Sequence, residues 1–163
     1  MQARSRKYAQ GYLATAVKEP VVLNKAASFG GEPDHFSVDE CGNRFAGRHL
    51  IMDIAQASRE ALCDVEKIRS MLTVAAEEAG ATLLGIDVHH FEGGGVTGIA
   101  VLAESHISIH TWPERNFAAV DVFMCGEALP GKCINVIKRF LSPKYVQVTE
   151  LKRGCLVDSA EAI

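Results

Sequence analysis

SREALCDVEKIRSMLTVAAEEAG, residues 58–80, is the stretch that sets the architecture. Leu62, Val65, Ile68, Leu72, Ala75, Ala76 and Ala79 recur at helical spacing. Ser58 stands where an N-cap belongs, and Glu60 falls in the first turn, where the helix dipole favours an anion. Gly80 stops the run. One amphipathic helix is expected here, with Asp64, Lys67, Arg69 and Glu78 on a solvated opposite face.

Such a helix needs an apolar surface to cover, and the flanking sequence supplies strands. HLIMDIAQA (49–57) precedes it, with imperfect alternation, and 81–89 follows it as a second strand. Gly93, Gly94 and Gly95 then read as a hairpin connection, because neither GxxxxGK[ST] nor GxGxxG is present for a phosphate loop. The returning strand runs over 96–103. In 117–124, Phe117, Ala119, Asp121 and Phe123 alternate with Ala118, Val120, Val122 and Met124, so both faces are largely apolar and a central strand is expected. Pro130 and Gly131 open a second amphipathic helix built on Ile134, Ile137, Phe140 and Leu141, which Ser142 and Pro143 end. A last strand covers 145–151. This order predicts an α+β fold: a two-layer sandwich, with an antiparallel sheet and two helices packed on one face. The open face then needs cover, which a partner subunit can give.

Residues 1–46 read differently. Pro20, Gly30, Gly31, Pro33 and Gly42 interrupt short apolar runs with no sustained period, apart from a brief strand possible at 21–23. A partly disordered N-terminal extension (1–46) is expected ahead of a catalytic domain (47–163). A net charge of -3 without a basic run argues against a nucleic-acid partner. No apolar run approaches the roughly 18 residues of a membrane span, so no membrane partner is expected. The five cysteines, Cys41, Cys63, Cys125, Cys133 and Cys155, are odd in number and form no CxxC pair. That pattern fits neither a disulfide framework nor a zinc knuckle, and a reducing cytoplasm is the simplest setting.

Chemistry collects in ESHISIHTWPE, residues 104–114. On a regular strand His106, Ser108 and His110 share one face, and Ser105 points to the other. A Ser105–His110 pair therefore needs a bend or a break in the chain between them. Cys125 closes the next strand. The residues alone leave several readings open. Trp112–Pro113 can be core and turn, Cys125 can be buried packing, and the histidines can be surface groups. His89, His90, His106, His110 and Cys125 are metal-ligand types, but HExxH is absent and adjacent His89 and His90 project to opposite faces, so no metal is expected. Ser105 lacks the GxSxG elbow of a serine hydrolase.

ESHISIHTWPE and AAVDVFMCG (118–126), with GRHLIMD (47–53), GATLLGIDVHHF and GGGVTGIAVLAES, resemble the prokaryotic S-adenosylmethionine decarboxylase proenzyme family. The likeness covers about residues 47–152 and includes the spacing of three functional residues. It implies scission between Glu104 and Ser105, giving a β chain (1–104) and an α chain (105–163). Ser105 would become a covalent pyruvoyl group, by way of an ester and a β-elimination. That group would form a Schiff base with S-adenosylmethionine, release CO2 and yield the aminopropyl donor for spermidine synthesis. The resemblance makes His110 the processing base and Cys125 the proton donor. It makes Phe91 an adenine-stacking ring, with Trp112 in the same cleft, and Glu114 a ribose-binding carboxylate. Thr97 stands where relatives carry a serine linked to processing, which leaves its role open. A homodimer of αβ units is also implied. The 46 residues ahead of the motif depart from the short family type.

Overall fold

A computed structural model describes residues 36–155. Most of the expected extension, including the strand at 21–23, and the chain's last residues lie outside the described residues. The end of that segment forms a small antiparallel hairpin of β1 (Ser37–Val38) and β2 (Arg44–Phe45). Its Phe45 is buried, and Ala46 N–H donates to the Arg153 carbonyl at 2.8 Å.

The main sheet has six strands: β3 (Gly47–Ala55), β4 (Leu83–His90), β5 (Val96–Leu102), β6 (Ser105–Trp112), β7 (Phe117–Cys125) and β8 (Tyr145–Arg153). Their spatial order is β4-β5-β6-β7-β3-β8, and every neighbouring pair is antiparallel. The expected α+β sandwich is therefore present. The helical layer departs from expectation in one respect: residues 58–80 form two helices, α1 (Arg59–Cys63) and α2 (Val65–Ala79). Asp64 turns extended (φ -88°, ψ 104°), and its carboxylate accepts from Lys67 N–H at 3.0 Å, so it caps a new helix instead of continuing the old one. Ser58 caps α1 as expected, and Gly80, left-handed at φ 71°, ends α2. With α3 (Gly131–Leu141) the sheet carries two long helices and one single-turn helix.

Period-two patterning fixes which side chains meet the helices. Leu50, Met52 and Ile54 of β3, Ile107 and Ile109 of β6, and Val120, Val122 and Met124 of β7 are buried with Ile68, Leu72 and Ile137. Gly98 of β5 lets α2 approach closely, since a Cβ there would meet Leu72 Cδ1 at 3.1 Å and Ile68 and Ile109 at 3.3 Å. Each fully buried isoleucine contributes about 1.5–3 kcal/mol, so a one-residue slip of β6 would forfeit several kcal/mol. Thr111 adds a polar lock: it accepts from Val96 N–H and donates to the Leu62 carbonyl, both at 2.8 Å. Because that register is held, His106, Ser108 and His110 face the uncovered side of the sheet, as the alternation predicts. That side exposes Ile51, Ile99, Val101 and Trp112.

Candidate active site

The hairpin between β5 and β6 is a two-residue connection, Ala103–Glu104, closed by the Leu102–Ser105 pair. Thr82 holds it in place. The Glu104 carboxylate accepts from Thr82 N–H at 2.8 Å and from the Thr82 hydroxyl at 3.2 Å, and Ala103 N–H donates to the Thr82 carbonyl at 2.9 Å. With its side chain tied down, Glu104 presents its backbone carbonyl to the end of β7. There the Cys125 N–H and the Cys125 thiol both donate to it, each at 3.1 Å. Two donors on one carbonyl oxygen favour charge building there, as they do in an oxyanion hole.

Ser105 follows directly. Its φ is +144°, a conformation that non-glycine residues rarely adopt, so the backbone is strained at the residue after the polarised carbonyl. Its hydroxyl lies 3.1 Å from His106 Nδ1. The sequence placed His106 on one face with Ser108 and His110 and among the metal-ligand types, but gave it no part in the chemistry at Ser105. The His106 imidazole is held below its ordinary value of 6.5, chiefly by burial, then by His49 and Arg153, with Asp121 opposing. His49 Nε2 stands 3.3 Å from Asp121 Oδ1, outside hydrogen-bonding geometry.

The bend that a Ser105–His110 pair would need within one chain is not there. β6 pairs with β5 without a register break from Ser105–Leu102 to His110–Thr97. At roughly 3.4 Å per residue, the two side chains are anchored about 17 Å apart. His110 Nδ1 is instead 2.9 Å from the Thr97 hydroxyl. Together with Phe91, Trp112 and Glu114, these two residues line a cavity of about 490 Å³ at the far end of the strand. Phe91 and Trp112 expose 49% and 42% of their surface, leaving ring faces free to receive a flat ligand.

The eight residues singled out from the sequence thus fall into two groups, Glu104, Ser105 and Cys125 at one end of β6 and the five cavity residues at the other. Thr82 completes the first group, and no local sequence signal marks it, because its partner is 22 residues away. Cys133 is a core residue whose thiol burial pushes up to about 12. Among the described residues no three His, Cys, Asp or Glu side chains gather in a metal-binding group.

Comparison with known proteins adds an independent observation. Residues 48–154 match the family model of S-adenosylmethionine decarboxylase. A Methanococcus vannielii protein named S-adenosylmethionine decarboxylase proenzyme is 48% identical over 118 residues, 72% of this chain and 96% of that protein. A Prochlorococcus marinus protein of the same name is 46% identical over 118 residues, covering 72% and 94%. Among solved structures, the adenosylmethionine decarboxylase from Aquifex aeolicus superposes with a TM-score of 0.65 at 33% identity, covering 71% of this chain and 97% of that one.

Proposed function

Because this chain belongs to the S-adenosylmethionine decarboxylase family, we propose that it is made as a proenzyme that cuts itself between Glu104 and Ser105 and then decarboxylates S-adenosylmethionine. One observation carries the site of the cut: the Glu104 carbonyl receives two hydrogen bonds from Cys125, while the next residue is strained and its hydroxyl is engaged by an imidazole. Attack of that hydroxyl on that carbonyl converts the peptide bond to an ester. Loss of the Ser105 α-proton and of its Cβ–O bond then frees residues 1–104 as a carboxylate and leaves a dehydroalanine, which water hydrolyses to a pyruvoyl group and ammonia. The new terminus begins β6, which stays paired with β5 and β7, so a pyruvoyl group made from Ser105 fits a held position.

When formed, a pyruvoyl group supplies a ketone that condenses with the substrate amine and draws off the electron pair left by the departing carboxylate. The residues around it do the rest. Cys125 brings its thiol to the position vacated by the Glu104 carbonyl and returns a proton to the substrate carbon. Phe91 and Trp112 take the adenine and attract the sulfonium charge, and Glu114 accepts from the ribose hydroxyls. The product is the aminopropyl donor of polyamine synthesis, spermidine included. All five cysteines are free, which suits a reducing cytoplasm.

A homodimer completes the site. With about 17 Å between their anchors, Ser105 and His110 meet only when a second copy covers the open face. Ile51, Ile99, Val101 and Trp112 supply an apolar surface for that contact. A two-fold axis then sets the cavity of one copy against Ser105 and Cys125 of the other, making two equivalent sites. Release of labelled CO2 from carboxyl-labelled S-adenosylmethionine tests the activity. The processed protein is expected to release it and Ser105→Ala is not; equal release by Ser105→Ala would contradict the reading.

A further inference from the structure

We propose that His106 is the base of the first step of self-cleavage: its Nδ1 takes the Ser105 hydroxyl proton during attack and hands it to the departing nitrogen. The inference rests on reading Glu104–Ser105 as the bond that is cut.

Geometry is the first argument. Among the described residues, His106 is the titratable side chain hydrogen-bonded to the Ser105 hydroxyl, at 3.1 Å. In the tautomer with its proton on Nε2, Nδ1 is a lone-pair acceptor aimed at the nucleophile. His110 of the same chain is anchored about 17 Å away, and its Nδ1 is engaged by Thr97.

The surroundings of His106 are the second argument. On the open face its ring packs near His49 of β3 (centroids 6.5 Å) and Phe123 of β7 (6.2 Å), which fixes its orientation. The charged and titratable groups that act on it are His49 from β3, Asp121 from β7 and Arg153 from β8. Burial, His49 and Arg153 favour the neutral ring over the single opposing carboxylate, so near neutral pH the imidazole is free to accept a proton.

The step balances without a co-reactant. As Ser105 Oγ bonds to the Glu104 carbonyl carbon, its proton moves to His106 Nδ1. The carbonyl π pair moves onto the oxygen held by the Cys125 amide and thiol. That pair then re-forms the carbonyl, the C–N bond breaks, and the imidazolium returns its proton to the Ser105 nitrogen as it becomes an amine. The products are an ester and a neutral imidazole. Removal of the Ser105 α-proton in the later elimination is left to His110 of a second copy, so the two histidines act on either side of the ester.

Hydroxylamine, which cleaves esters and leaves amides, separates these stages in a denaturant-quenched time course. Folded His106→Gln and His106→Ala proteins are expected to process about 100-fold more slowly than the parent and to release no fragments with hydroxylamine, with partial rescue of the alanine variant by imidazole. His110→Ala is expected to stall later and to release both fragments. Either His106 variant processing within threefold of the parent, or accumulating cleavable ester, would overturn the proposal. A second readout leaves His106 intact: in His110→Ala, ester formation should fall on the acid side with a midpoint below 6.5, and a flat profile from pH 5 to 8 would overturn it. A parent that is never cut and never yields to hydroxylamine would instead overturn the cleavage reading itself.

Discussion

The amide and the thiol of Cys125 converge on a single acceptor, the carbonyl oxygen of Glu104, each at 3.1 Å. Substitution by alanine keeps the backbone donor and removes the thiol. Cys125→Ala should therefore retain half of the cradle and still process, more slowly by roughly 10²-fold, the usual loss for one oxyanion donor. Gel densitometry of the two fragments against time checks this. Decarboxylation per processed chain should also fall in this variant; normal turnover in fully cut Cys125→Ala would remove the thiol as proton donor.

The separation of Ser105 and His110 along β6 makes a prediction about mixed subunits. Ser105→Ala and His110→Ala homodimers should each be defective. Co-expressed, they should form heterodimers in which one site pairs intact Ser105 with intact His110. That site alone should be cut, so the tagged His110→Ala chain is cleaved up to about half-way under random assembly. Absence of cleavage in purified heterodimers would place both residues' action within one chain.

His106 also leaves a mark on stability. Its folded-state value lies below 6.5, so as pH falls the unfolded chain takes up the proton first. This group therefore leaves stability unchanged above 6.5 and lowers it as pH drops from 6.5 through the depressed folded value. In uncleavable Ser105→Ala protein, urea midpoints at pH 7.5 and pH 5 should differ more with His106 present than with His106→Gln. Identical differences would show that the imidazole is not held neutral.

Gly98 tests the packing that sets the register of the site. A Cβ there already presses on Leu72, Ile68 and Ile109, and valine adds two further methyl groups. Gly98→Val should destabilise the chain by about 1–3 kcal/mol, the usual cost of overpacking, read as a lowered urea midpoint with an unchanged slope.

Much of this was legible in the sequence for a definite reason. Alternation in 117–124 and the run from Leu62 to Ala79 are local signals, and they placed β7, α2 and the face that carries His106 and His110. The break at Asp64 was hidden because a single extended residue leaves the helical spacing around it largely intact. The insertion of β3 between β7 and β8 was likewise invisible, since pairing partners leave no mark on local periodicity. At the site, composition located the polar cluster and the family resemblance assigned its chemistry. The Glu104 clamp to Thr82 and the Cys125 donors span 22 and 21 residues, and only the folded sheet brings them together. The same sheet holds Ser105 and His110 about 17 Å apart along β6, a separation that their closeness in sequence does not reveal.

The most direct test of the central claim is the intact mass of the purified chain under denaturing conditions. Self-cleavage predicts two species, residues 1–104 with an ordinary carboxyl end and residues 105–163 lighter than the unmodified segment by the change from serine to pyruvoyl. Ser105→Ala should give one uncut species. A parent protein that is folded yet uniformly uncut, or cut at another bond, would contradict the account.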